Sequence, residues 1–199
     1  MPFFALQYQV LFHDTMAYGS HHHMTNFKFQ NVARETILFE TKADGKRCFD
    51  EQAKHIVMLT REAYSLNLAP VMLGQKVGIL LSYAEPTHST FRLCFRVVDE
   101  EGSPVCCGYQ TMILIDKDTH NLVPAPPFLA EYLSASSERN LIEPLESPSF
   151  ADLAKSGSPG LRHIFPENLK SLGKMVATAP LRSSHPRIID TNLREFDFQ

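Results

Sequence analysis

The spacing of apolar residues changes character once along this chain, and that change limits the folds open to it. Phe29, Val32, Ala33, Thr36 and Ile37 recur at intervals of three and four, which lines one face of a helix. Beyond residue 55 the pattern becomes strand-like and stays so to about residue 115. The sequence predicts strands over 55–65, 76–84, 89–99 and 105–116, preceded by one at 3–12. Long consecutive strands joined by short turns argue for an antiparallel sheet, and a single early amphipathic helix must then cover one of its faces. The fold class expected is α+β.

Local signals bound these elements. Gly19 and Ser20 break the first strand, and Thr25 or Asn26 is a competent N-cap for a helix reaching to about residue 40. Lys28, Asn31, Arg34 and Glu35 take its other faces. Lys42-Ala43-Asp44-Gly45-Lys46 ends the helical stretch with turn chemistry, and Glu100-Glu101-Gly102-Ser103-Pro104 reads as a hairpin turn. Val71-Met72-Leu73-Gly74-Gln75 reads as a connection. From Thr119 the composition shifts: Pro124, Pro126 and Pro127 close the sheet region, and 128–133 has the pattern of a helical turn. We expect one domain over 1–133 and a Ser/Pro-rich C-terminal extension over 134–199, with short helices near 148–155 and 166–175, each opening on a proline.

Composition excludes some classes of function. A net charge of -3 gives no basic footprint, so nucleic acid is a poor partner. No apolar run approaches the roughly 20 residues needed to span a bilayer, and Met1-Pro2-Phe3-Phe4 lacks the basic start of a signal peptide. Cys48, Cys94, Cys106 and Cys107 show no C-x-x-C spacing, so zinc is not expected and a reducing cytoplasm is the simplest location. Cys106 and Cys107 read as strand residues rather than nucleophiles.

The stretch His13-Asp14-Thr15-Met16-Ala17-Tyr18-Gly19-Ser20-His21-His22-His23-Met24-Thr25-Asn26 is where chemistry concentrates. A carboxylate leaves a strand, a glycine turns the backbone, and a polar cluster leads into a helix start. Helix N-termini present free N–H groups that favour an oxygen gaining negative charge. The stretch thus reads as an acid or base beside an oxyanion site, the alternative for Asp14 being a turn or capping carboxylate. Three adjacent histidines cannot all face one site, and with no Asp, Glu or Cys at helical spacing beside them a metal is the least favoured use.

The order of strand, Asp14-Thr15, Gly19, polar cluster, Ala33-Arg34-Glu35 on a helix, and four long strands with Leu73-Gly74-Gln75 between them resembles the hotdog-fold acyl thioesterases of the 4-hydroxybenzoyl-CoA thioesterase type. The likeness covers about residues 3–130. Aligned on Asp14 and Gly19, His23 falls on that family's histidine and Arg34 on its arginine. The chain departs from the pattern at Met16, where the family has a second Asp, at Ser20, His21 and His22, where it has apolar residues, and at its Asn, matched by Thr25 or, after a one-residue slip, Asn26.

The resemblance implies a long antiparallel sheet wrapped around a central helix over 25–40, with sites completed between subunits of a homodimer or homotetramer. It also implies hydrolysis of an acyl thioester carried on coenzyme A or on an acyl carrier protein, in fatty-acid or polyketide metabolism, with no cofactor. Asp14 would be base or nucleophile, and His23 or Thr25 an orienting group. Backbone N–H groups around Met24–Asn26 would polarise the carbonyl, Gly19 belongs to the same substrate-binding set, and Arg34, Tyr64 and Thr90 are candidate contacts for phosphate, pantetheine or acyl chain. The residue-level alternatives are a salt bridge for Arg34 and core packing for Tyr64 and Thr90. Two rival functions stay open: dehydration of a 3-hydroxyacyl thioester, and non-catalytic binding of an acyl thioester or its carrier.

Overall fold

A computed structural model describes residues 3–36, 42–43, 46–47, 54–84, 87–127, 129, 167–178 and 187–188. The elements are β1 (Phe3–Gln9), α1 (Thr25–Glu35), the short strands β2 (Lys42–Ala43) and β3 (Lys46–Arg47), β4 (Ile56–Asn67), β5 (Lys76–Ala84), β6 (Thr90–Val98), β7 (Pro104–Asp116), α2 (Glu167–Thr178) and β8 (Arg187–Ile188). β2 and β3 pair with each other on either side of the expected Asp-Gly turn. The remaining strands form one antiparallel sheet in the order β4-β7-β6-β5-β1-β8. This is the hotdog arrangement: a long sheet with α1 packed against it.

The period-2 pattern explains the packing. Phe91, Leu93, Phe95 and Val97 of β6, Val77, Ile79, Leu81 and Tyr83 of β5, and Leu6 and Tyr8 of β1 form one buried cluster with Phe29 and Ala33 of α1. The opposite face carries a second cluster of Cys94, Val98, Cys107 and Tyr109, flanked by Tyr64, Leu66 and Leu68. Cys94, Cys106 and Cys107 are buried and form no disulfide among the described residues. Both faces of β6 are largely covered, so Cys94 and Arg96, which alternate with the Phe91, Leu93, Phe95 and Val97 row, are buried as well.

α2, expected near 166–175, runs Glu167–Thr178 and packs against β5, β1 and β6. The Gln7 side-chain amide donates to the Val176 and Ala177 carbonyls at 3.1 and 2.8 Å, which satisfies the open C-terminal turn of that helix. The approach is close enough that a Cβ added at Gly78 would stand 2.2 Å from the Gly173 carbonyl oxygen.

The structure corrects several local expectations. The strand order, which the sequence reading left open, puts β4 beyond β7, so residues 68–75 cross from one side of the sheet toward the other. On the way Val71 is buried and pairs with His21, which brings this crossover to the start of α1. The N-cap of α1 is Met24, whose side chain carries no capping oxygen, and the Thr25 hydroxyl, one residue inside the helix, donates to the Asp14 carbonyl. β4 extends to Asn67 rather than ending at 65. The helical readings over 37–40, 148–155 and nearly all of 128–133 lie outside the described residues, as does Cys48.

Candidate active site

β1 delivers the chain through Val10 to a short 3₁₀ turn, Phe12–Asp14, and then to a loop closed by Gly19. Gly19 has φ 76°, a left-handed conformation that glycine adopts without steric cost, and its N–H bonds the Met16 carbonyl at 2.9 Å. The Met16 N–H bonds the Ser20 carbonyl at 2.8 Å, and the Leu73 N–H bonds the Gly19 carbonyl at 2.8 Å. The loop is thereby pinned to the crossover and returns the chain to α1.

The Asp14 side chain is completely buried and surrounded by donors. Oδ2 accepts the Tyr8 hydroxyl at 2.8 Å and the Leu11 N–H at 2.9 Å. Oδ1 accepts the Lys28 ammonium and stands 3.5 Å from Nε2 of His13. Burial alone would push its pKa up, but the bonds from Lys28, Leu11 and Tyr8 outweigh it and hold the carboxyl below its ordinary value. Burial, reinforced by this carboxylate, pushes the Tyr8 phenol well above its own. Asp14 is therefore an ionised carboxylate in a site that excludes water.

The three histidines separate as sequence alone could not tell. His21 is the buried one: its Nδ1 accepts the Val71 N–H at 2.8 Å and its Nε2 faces the Asn26 side-chain oxygen at 3.1 Å. That pairing requires the neutral ring protonated on Nε2, and burial holds its pKa below the usual histidine value. His22 accepts the Met24 N–H on Nδ1 at 3.1 Å, and His23 is exposed with its ring centroid 4.1 Å from that of His22. Among the described residues His23 makes no hydrogen bond to the Asp14 carboxylate. The amides opening α1 are also engaged: Thr25 N–H with the His22 carbonyl at 2.7 Å and Asn26 N–H with the His23 carbonyl at 3.3 Å.

Of the other residues singled out in the sequence, Asn26 belongs to the same region and donates to the Asn67 side-chain oxygen at 3.4 Å. Arg34 donates to Thr60 and Gln110, each at 3.0 Å, and pairs with the Glu35 carboxylate, so the salt-bridge reading describes it. Tyr64 stacks on Tyr109, on the sheet face opposite α1. Thr90 lines a separate hollow of about 360 Å³ with Arg61, Glu62, Arg92 and Thr111. The structure does not bring Tyr64 or Thr90 to Asp14.

Sequence reasoning missed Tyr8, Lys28 and His13. Tyr8 was legible as an inward position of β1, but not as a partner of Asp14. Lys28 reads as a surface residue by helical phase alone. One turn into a helix that starts beside an acid, it nonetheless has the reach to pair with that acid.

No protein-family model matches the sequence, and no curated protein matches it significantly. Solved structures do match the fold. A 1,4-dihydroxy-2-naphthoyl-CoA thioesterase from Synechocystis is 14% identical, with 66% of this chain and 96% of that chain covered and a TM-score of 0.59. A protein from Staphylococcus aureus solved in complex with CoA is 11% identical, with 73% and 90% covered and a TM-score of 0.62. A gentisyl-coenzyme A thioesterase is 21% identical, with 64% and 98% covered and a TM-score of 0.54. The fold of this chain is thus the hotdog fold.

Proposed function

We propose that this protein hydrolyses an acyl thioester of coenzyme A, with Asp14 as the carboxylate that activates water. The observation that carries the reading is the placement of an ionised, water-excluded carboxylate beside the first turn of the helix around which the sheet is built. The donors around it keep the carboxyl ionised, the protonation state a general base requires, and fix its orientation. Supporting it, the solved proteins sharing this fold include two CoA thioesterases and one protein bound to CoA. Thr25 acts here as a positioning residue, since its hydroxyl holds the Asp14 main chain at 2.8 Å.

The proposal extends to a homodimer in the cytoplasm. Among the described residues nothing pairs with the outer edge of β4, a 12-residue strand whose middle is exposed, and an open edge of that length is a template for a second copy. The same pantetheine thioester on an acyl carrier protein would present the same reacting group.

Thiol release from a panel of acyl-CoA thioesters tests the reading, with Asp14→Asn expected to abolish turnover while remaining folded. Full activity in that variant ends the mechanism. A second reading, binding of an acyl thioester without turnover, is favoured by one observation: Lys28 occupies the Asp14 oxygen that would have to react. Retention of an intact acyl-CoA by the wild-type protein, seen by mass spectrometry with no free thiol, would establish it.

A further inference from the structure

The geometry points to Lys28 as a catalytic residue that receives the thioester carbonyl oxygen and, in moving to it, uncovers Asp14. This inference rests on the hydrolase reading and names the group that would stabilise its oxyanion. The Asp14 side chain is 0% exposed, whereas Lys28 is 34% and His13 63% exposed, so a substrate arriving from solvent meets Lys28 and His13 first. The ammonium has three N–H donors. One bonds Asp14 Oδ1, one bonds His13 Nε2, and the third makes no hydrogen bond among the described residues. Nζ also lies 5.4 Å from the Tyr8 ring centroid, which keeps the chain over the acid.

Three amides at the helix start are already engaged in this arrangement. The Met24, Thr25 and Asn26 amides already bond His22 Nδ1, the His22 carbonyl and the His23 carbonyl. Lys28 is the donor that is both partly exposed and bonded to Oδ1, the Asp14 oxygen not held by Tyr8 and Leu11. When its Nζ shifts to a carbonyl oxygen, Oδ1 loses its cover and a water can take the vacated place. Oδ2 stays bonded to Tyr8 and Leu11, so the carboxylate keeps its orientation.

The reaction then balances. Asp14 Oδ1 removes a proton from water as the water oxygen bonds the carbonyl carbon, and the π pair moves to the oxygen held by Lys28. Collapse of the tetrahedral adduct restores the carbonyl and breaks the carbon–sulfur bond. The departing thiolate takes the proton from Asp14, leaving a carboxylic acid, a thiol and the original carboxylate.

Two measurements test this. In thiol-release assays Lys28→Met should lower kcat by about 100-fold or more, the loss typical of removing one oxyanion donor, with KM changed far less, and Lys28→Arg should recover part of it. Unchanged kcat in a folded Lys28→Met overturns the inference while leaving the hydrolase reading intact. The second probe is a 2-oxoalkyl coenzyme A thioether, which keeps the carbonyl and cannot be hydrolysed. The Asp14 carboxyl is followed by carbon NMR, with Tyr8, His13, His21 and Lys28 the titratable groups facing it. Binding should raise the Asp14 midpoint in the wild type and leave it unmoved in Lys28→Met. Binding with no change in the wild type overturns the role of Lys28, and no binding at all overturns the coenzyme A reading together with it.

Discussion

The Thr25 hydroxyl donates to the Asp14 carbonyl oxygen at 2.8 Å, tying the first residue of α1 to the acid at the end of the preceding turn. The His22 N–H bonds the same carbonyl at 2.9 Å. Asp14 is therefore fixed at two points, its main chain by the approach to the helix and its side chain by Lys28 within the helix. Thr25→Val keeps the shape and removes the donor. It should cost about 1–2 kcal/mol in urea unfolding, with Thr25→Ser close to wild type. If Asp14 is the base, Thr25→Val should also lower kcat, because a carboxylate displaced by a fraction of an ångström no longer meets water in line.

Asp14 should also govern stability in acid. Its folded pKa lies below the ordinary carboxylate value, so its contribution is fully present above about pH 4 and is lost as pH falls through the lower folded value. Asp14→Asn should therefore be less stable than wild type by about 1–3 kcal/mol near neutral pH. The two unfolding curves should converge as pH falls through the lowered folded value. A constant gap across that range would show that the stabilisation does not depend on the carboxylate's charge.

The architecture was legible because its signals are periodic. The apolar spacing at Phe29, Val32 and Ala33 against the alternation in β5 and β6 separates the helix from the sheet with no tertiary information. Strand order was less accessible: local turn signals say that β5, β6 and β7 are consecutive hairpins, but not that β4 lies beyond β7. That depends on where the 68–75 crossover docks, a matter settled by Val71 and His21 meeting across fifty positions.

The candidate site was legible in its acid and not in its partners. Asp14 announces itself by following a strand and preceding a glycine turn. Lys28, Tyr8 and the choice of His21 over His23 depend on which way side chains point after the loop closes. Three consecutive histidines carry no phase, so burial sorts them only in the folded chain.

Burial of His21 gives a second pH signature, opposite in residue type and alike in sign. Its folded pKa is below the ordinary value of about 6.5, so its neutral-state contribution is present above that pH and declines as pH falls toward the lower folded value. Attraction to Asp14 and repulsion from His22 are the charges acting on it. The melting temperature of the wild type should fall as pH is lowered from about 6.5 to 5. Gln at position 21 can still accept from Val71 and donate to Asn26 but does not titrate. His21→Gln should flatten that slope, and an equal slope in both proteins would assign the effect to other groups.

The contact between Gly78 of β5 and Gly173 of α2 makes the most direct packing prediction. A Cβ at Gly78 would lie 2.2 Å from the Gly173 carbonyl oxygen, and one at Gly173 would lie 2.2 Å from Val98 Cγ2. Neither clash resembles the yielding end of a long side chain: one is with backbone, the other with a buried β-branched residue. Relief requires α2 to move off the sheet, which would also stretch the Gln7 bonds to Val176 and Ala177. Gly78→Ala should therefore destabilise by about 1–3 kcal/mol or more, the range for overpacking a fitted core. Hydrogen exchange should show amides of α2 losing protection before those of α1, because α2 meets the sheet on the face away from Phe29 and Ala33. Uniform loss of protection across both helices would mean that α2 and the sheet unfold as one unit.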